Sequence, residues 1–375
     1  MPSESEIQTR FSAIDRALLF VENRCTLSGA SLLLAVMLML VAMLYVRPAF
    51  VSSYHGIYYA QLAAHPFEAA NPNAYRLLTP LVAYLLGLRG DKIIILNLLV
   101  ALALLVVVYY NSRRASYAPS LALAVAMMLA YTMPTLFTIY YGGYTDSTTY
   151  LLILLMLISA KRPLLYWLLF LLGLLNRESV VFLLPFFALY HFYKLNSRKT
   201  FMHSILVGPA VTLALYLLFR ALVNSRTTVL HTGAFYFEPL LKDPFYWLRQ
   251  TLQAYPLGFF SAFKLFWALP AAAGFFALRD RRYLLAALVL SPIIFSAAQS
   301  LIALDTSRLL AMAFPSLLMS ILVLREKMSE QRLATLMLLL VLFNFALPQI
   351  YVTSNEVSLM YSSASLVSGG TTAAP

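Results

Sequence analysis

The chain is 375 residues long, 61% hydrophobic and only 11% charged, with a formal net charge of +12. A soluble domain is roughly 45–50% apolar and about 25% charged, so an ordinary soluble fold is excluded. The single cysteine, Cys25, excludes an internal disulfide or a Cys-rich metal site, and in so apolar a chain the basic excess points to loops facing anionic lipid, not to nucleic acid.

Apolar residues recur in blocks such as "IIILNLLVALALLVVVYY" instead of alternating. The pattern predicts an all-α, polytopic transmembrane helical bundle and argues against a β-barrel. Residues 1–27 are polar, and "FSAIDRALLFVE" spaces its apolar side chains as a surface helix would, which predicts a cytoplasmic amphipathic lead-in. A transmembrane domain over 28–352 follows. A crossing takes about 20 apolar residues, and about eleven spans are expected: 28–46, 92–110, 118–139, 147–160, 164–176, 179–194, 203–223, 256–278, 283–300, 309–324 and 333–351. The fourth and fifth are short, joined by the tight turn "KRP". Residues 353–375 are expected as an outer tail.

Lys and Arg orient this arrangement. With the N-terminus inside, residues 1–27, "NSRRAS", "KRP", "KLNSRK", "RDRR", "REKMSEQR" and their flanks hold 16 of the 27 basic residues. That bias is the positive-inside pattern. It predicts a multi-pass membrane protein with its N-terminus cytoplasmic and its C-terminus outside.

The opposite face then carries a small set of ionisable residues. Its short loops, "GGYTD", "NRES" and "ALDTSR", supply Asp146, Arg177, Glu178, Asp305 and Arg308. Two longer aromatic-rich segments accompany them, 47–91 with His55, Tyr58 and Arg76, and 224–255. Lys264 lies inside a span, where an ammonium either snorkels or meets a partner. Each feature has a plainer reading: Asp146 and Asp305 as helix caps, "NRES" as a turn, and the aromatics as an interfacial belt. Their gathering on one face favours a site.

Four stretches, "YHGIYYAQLAAHPF…YRLLTPLVAYLLG", "GGYTDSTTYLLILLML", "LLNRESVVFLLP" and "DTSRLLAMAFPSLL", resemble in this order the bacterial branch of the GT-C glycosyltransferases, over roughly residues 28–324. The resemblance implies an enzyme that takes a sugar from a polyprenyl-phosphate carrier at the outer face and passes it to a glycan, lipid or protein. It implies partners among membrane lipids and envelope-biosynthesis proteins, and leaves a divalent cation open as cofactor. Such proteins place an acidic residue just before the "YY" of the first outer loop; here the place reads "SYHG". The base is therefore His55, Asp146 or Glu178, or the reaction has been lost. The chemistry asks for a base near the acceptor hydroxyl and for cations near the departing phosphate. Arg76, Arg177, Arg308 and Lys264 are the phosphate candidates, Asp305 lies beside Arg308, and Tyr58 and Tyr144 are the sugar-facing aromatics. Two alternatives stay open: a transporter or flippase for a lipid-linked or anionic substrate, and an inactive relative serving an envelope complex.

Overall fold

A computed structural model describes residues 13–67, 71, 73–195, 202, 206–226, 238–239, 241–299 and 303–360. The beginning of the lead-in, much of the second outer segment and the end of the tail lie outside the described residues.

The chain is a bundle of helices. The first, α1 (Ala13–Tyr45), merges the lead-in with the first apolar run across a kink at Thr26, whose φ is 63°. Two short outer helices follow, α2 (His55–Ala64) and α3 (Leu78–Leu85), then the long apolar α4 (Ile93–Arg114). The next apolar block is broken into α5 (Pro119–Ala130) and α6 (Met133–Tyr140), bent by 45°. Pro134, in the first turn of α6, has no N–H to bond Ala130 O, so the α5 ladder cannot run on into α6, and Thr132 between them is extended. A hairpin of α7 (Asp146–Ser159) and α8 (Pro163–Asn176) comes next, then a 3₁₀ turn (Glu178–Leu183) into α9 (Leu184–Leu195). The chain continues through α10 (Gly208–Arg226), α11 (Tyr246–Thr251), α12 (Tyr255–Phe263), a 3₁₀ turn (Lys264–Trp267), α13 (Ala268–Arg279), α14 (Tyr283–Ala298), α15 (Thr306–Ala311), α16 (Phe314–Leu324) and α17 (Glu330–Ala346).

Five of these helical stretches are long and apolar enough to cross a membrane, or six with the bent pair, and α7, α8 and α14 are shorter apolar helices. This is an all-α bundle of membrane type, with a helix at each expected span. Its first helix packs on α4 and α5, where Ala30, Ala35, Ala42, Ala101 and Ala122 are buried. Small residues let helices approach closely where lipid removes the hydrophobic drive for association.

The two ends of the bundle differ. At one end, Glu22 accepts from Arg113 Nε at 2.6 Å and Nη2 at 2.7 Å, and Glu330 accepts from Ala118 N at 2.6 Å and Arg325 Nε at 2.7 Å. Lys327–Asp280 and Arg282–Glu326 pair at the same end. The lead-in is thus docked onto the bundle through Glu22 and through Asp15, which accepts from Ser120 N at 2.8 Å. At the other end, beyond the 22 residues of α4 and so about 33 Å away, lie the outer loops.

Two expectations change. The last span is expected to reach residue 351, but α17 stops at Ala346 and the chain forms a β-hairpin, β1 (Ile350–Thr353) with β2 (Glu356–Leu359). The alternation in "YVTSNEVSL" around a Ser-Asn turn is a strand signal that apolar content overrode. Lys264 also stands apart from the phosphate candidates. It is buried where α12 and α13 break, and its ammonium donates to Asn344 O at 2.9 Å, Leu347 O at 3.0 Å and Tyr45 Oη at 3.2 Å. Those bonds use all three donors of an ammonium. Asn344 answers from α17: its Oδ1 accepts from Leu265 N at 3.0 Å. Lys264 holds φ at 49°, a strained value for a side-chain-bearing residue. Its place is a brace between a broken helix, the end of α1 and the end of α17.

Replacing Lys264 with Met leaves buried carbonyls without their donor, each worth about 1–3 kcal/mol. Thermal denaturation of the detergent-solubilised K264M protein should show a melting point lower by several degrees. An unchanged melting point would remove the brace from this account.

Candidate functional site

The site begins with a backbone contact. In "GGYTD", a Cβ on Gly142 would strike Val51 O, and one on Gly56 would strike Gly142 O. Gly143 has φ +88°, and a Cβ there would come within 2.9 Å of Gly56 Cα. Only glycine fits so close an approach. The first outer segment therefore lies directly on this turn, with Ser53 N donating to Gly142 O at 3.2 Å and Ser52 N to Asp91 Oδ1 at 3.1 Å. This contact carries His55, at the start of α2, over the end of the bundle.

Asp146 opens α7, yet neither it nor the N-cap residue Thr145 makes a side-chain cap bond. Its carboxylate is buried, with 4% of the side chain exposed, and pairs with Arg177 and with Arg308, the latter at 3.6 Å from Nε. Arg177 follows the last residue of α8 in extended conformation. Arg308 lies in the single turn and a half of α15. Both guanidiniums are themselves buried, each with 6% of its side chain exposed. The loops that carry them are held by side-chain bonds. Asn176 donates to Thr145 O at 2.9 Å and Thr149 Oγ1 at 2.8 Å, and accepts from Thr79 Oγ1 at 2.5 Å.

Around this centre a second layer sets the arginines. Arg308 Nη2 meets Asp305 Oδ2 at 2.7 Å. Asp305 Oδ1 accepts from Tyr351 Oη at 2.8 Å and Thr353 Oγ1 at 2.9 Å, so the C-terminal hairpin orients the carboxylate. Arg308 lies over the Tyr144 ring at 4.9 Å and the Phe137 ring at 5.5 Å, where ring quadrupoles favour a cation. Arg76 forms a two-point pair with Glu178, Nε to Oε2 at 2.8 Å and Nη2 to Oε1 at 2.6 Å, and donates from Nη1 to Tyr59 Oη at 2.7 Å. Burial works to raise the Asp305 carboxyl, but Arg308 and the Tyr351 hydrogen bond outweigh it and bring it down to about 2. Glu178 is likewise raised by burial and lowered by Arg76 to about 2.

His55 stands at the rim, an exposed residue whose ring is 6.0 Å from the Tyr58 ring and partly covered by its surroundings. Loss of surrounding water and the nearby Arg308, Arg76 and Arg177 push its pKa below the usual imidazole range, with Asp305 opposing. The imidazole is therefore neutral near pH 7. The Tyr144 phenol is pushed up to about 12, chiefly by burial.

The structure thus gathers Asp146, Arg177, Arg308, Asp305, Arg76, Glu178, Tyr144, His55 and Tyr58 at one end, and leaves Lys264 outside. Sequence reasoning missed Tyr351, Thr353, Tyr59 and Asn176. Asn176 was visible in "NRES"; nothing local marks the others, which act from elements distant in sequence. Three guanidiniums face three carboxylates, but the donors are not all used: Arg177 Nε and Arg308 Nη1 are buried without a hydrogen-bond acceptor. Buried donors left over in this way suit an oxyanion. A divalent cation fits less well. Among the described residues no three His, Cys, Asp or Glu converge as a ligand set, and each carboxylate here already faces an arginine. Comparison with family models, with curated proteins and with solved structures finds no match to this chain.

Two outcomes follow from this geometry. Gly143→Ala should dislodge the 51–56 segment and lower the melting point by several degrees, whereas Gly87→Ala, at φ +74° but in open space, should cost roughly 1 kcal/mol. The paired carboxylates contribute stability that is fully present above their unfolded pKa values near 4. It is lost as pH falls from there toward 2. Unfolding midpoints measured from pH 6 to 2 should hold level to about pH 5 and then decline. A flat profile down to pH 2 would mean the pairs add nothing.

Proposed function

We propose that this chain is a multi-pass membrane glycosyltransferase of GT-C-like architecture, with about eleven spans, that moves a sugar from a polyprenyl-phosphate carrier to a glycan, lipid or protein acceptor. It works at the outer face of a bacterial inner membrane. One observation carries the reading: Arg177 and Arg308, from helices far apart in sequence, meet at one buried carboxylate with donors to spare. Both belong to the end of the bundle opposite the basic loops.

In this reading the planar forks of Arg177 and Arg308 take the phosphate oxygens of the carrier, with Asp146 and Asp305 setting their angles. The acceptor hydroxyl oxygen attacks the anomeric carbon as the bond from that carbon to the phosphate oxygen breaks. The hydroxyl proton passes to the neutral imidazole of His55, and the carrier leaves as a phosphate monoester whose developing charge the guanidiniums stabilise. Glu178 serves poorly as a base because its Arg76 pair brings its carboxyl down to about 2, and Asp146 because its carboxylate is buried between two guanidiniums. The charged residues cluster at helix termini rather than halfway along the spans, which favours an enzyme over a transporter with a midplane site.

The test is transfer of label from radiolabelled polyprenyl-phosphate sugars in membranes carrying the chain, normalised to inserted protein. Asp146→Asn should reduce transfer roughly 10²-fold, because the guanidiniums lose the charge that orients them, and Arg308→Lys should be nearly as damaging. Near-normal transfer by both variants would defeat the reading. Orientation is tested separately. With Cys25 replaced, an impermeant thiol reagent on intact cells should label cysteine at 356, on the hairpin, and not at 281. The reverse pattern would invert the topology.

A further inference from the structure

Outside the Asp146 cluster, Arg220 meets no carboxylate among the described residues and is not satisfied by backbone carbonyls as Lys264 is. It lies on α10, six residues before its end at Arg226, and so about 9 Å below it. It is half-buried. Its guanidinium instead lies over the ring of Tyr75, 4.4 Å from the centroid. Tyr75 is itself buried and donates its hydroxyl proton to Asn224 Oδ1. One turn back on the helix, Tyr216 has only 6% of its surface exposed, and its hydroxyl lies against the Arg220 guanidinium. Arg76 and Glu178 also lie within its electrostatic reach. An arginine without a carboxylate within an apolar span is costly, and a buried phenol whose proton has no acceptor among the described residues adjoins it.

We infer that Arg220, Tyr216, Tyr75 and Asn224 form a docking site for the phosphate headgroup of an anionic lipid, entered sideways from the membrane. Arg220 supplies the planar fork for the phosphate oxygens, with its outer face free and its inner face stacked on Tyr75. The Tyr216 hydroxyl and the Asn224 amide N–H₂, whose oxygen is already taken by Tyr75, are the neutral donors beside it. The occupant is a lipid and not free phosphate because of what surrounds the site. Val211, Leu215, Leu217, Leu218 and Leu222 on the same helix are exposed by 48–63%, a surface for acyl chains to lie along while the headgroup reaches Arg220. Arg220 belongs to the half of α10 nearer its end at Arg226, so its long side chain can reach from within the span toward the headgroup layer. The charge is complementary, and α10 packs on α8, the helix that ends at Arg177.

This inference concerns binding and stands without glycosyl transfer, so its test reads lipid binding alone. The full chain in phosphatidylcholine nanodiscs is titrated with dioleoyl phosphatidic acid and bound lipid is counted by native mass spectrometry. Wild type should retain phosphatidic acid over phosphatidylcholine. Arg220→Gln should weaken that retention about tenfold or more, and Tyr216→Phe and Arg220→Lys a few-fold each, with melting points checked in parallel. Arg89 stacks on Tyr84 at 4.6 Å in the same manner but is exposed, so Arg89→Gln should bind as wild type does. Equal binding by wild type and the folded Arg220→Gln variant would overturn the site. An equal loss in Arg89→Gln would reduce it to general surface attraction, and displacement by inorganic phosphate at the same concentration as lipid would make it a free-anion site. Either result also overturns the inference.

Discussion

A carboxylate buried in an apolar bundle governs the outer end of this protein. Leaving Asp146 ionised without partners at 4% exposure would cost several kcal/mol. Its neutralisation requires charges that no local stretch of chain can supply. Arg177 arrives from the end of one helix and Arg308 from the start of another. Once two guanidiniums are drawn in, they carry the same difficulty, and Asp305 is needed to hold the second. Asp305 in turn recruits Tyr351 and Thr353 from the C-terminal hairpin. The pairing therefore spreads outward from one residue until it reaches groups exposed enough to be solvated.

That chain of dependence explains why helices end where they do at this face. The first turn of α7, the last residue of α8 and the short α15 all stop at the level of the cluster. Asn176 ties the first two together through two bonds and links them to α3 through a third, from Thr79. The Gly-Gly turn plays a different part. It carries no charge, but it lets the first outer segment sit on the bundle backbone to backbone, and His55 is set over the arginines as a result. The cluster is thus held by packed helix ends on one side, with His55 exposed above it on the other.

The opposite end solves its electrostatics with shorter reach. Glu22–Arg113 joins two packed helices, Glu330–Arg325 spans one short connection, and Asp280–Lys327 joins two neighbouring loops. Each has at least one partner partly solvated, so each tolerates loss better than the Asp146 group does. Lys264 shows the third solution, at depth within the bundle. Three neutral oxygens satisfy its ammonium, and the charge serves to hold a helix break, not to bind a ligand.

How much was readable in advance follows from the range of each force. Hydrophobic blocks and the Lys/Arg bias are properties of contiguous chain, so the helical membrane class, the positions of the helices and the separation of basic loops from the outer residues were legible in the amino-acid order. So was the candidate set, since "GGYTD", "NRES" and "DTSR" each announce charge at the edge of an apolar run. Partner choice was not. Nothing near Asp146 says that its counterions are 31 and 162 residues away, or that Glu178 turns to Arg76, or that Lys264 turns to backbone carbonyls. Those outcomes depend on which helix ends come together, and only packing of the whole bundle decides that. The hairpin escaped for the same reason, because "IYVT" has the apolar content of a span ending, and it becomes a strand only when Asp305 and the Ser307 hydroxyl, which accepts from Val352 N at 2.9 Å, are there to hold it. Sequence by itself determined the apolar surroundings of this protein's helices and which chain segments carry charge; tertiary structure alone decided which charges meet, because ion pairing acts through space and hydrophobic patterning acts along the chain.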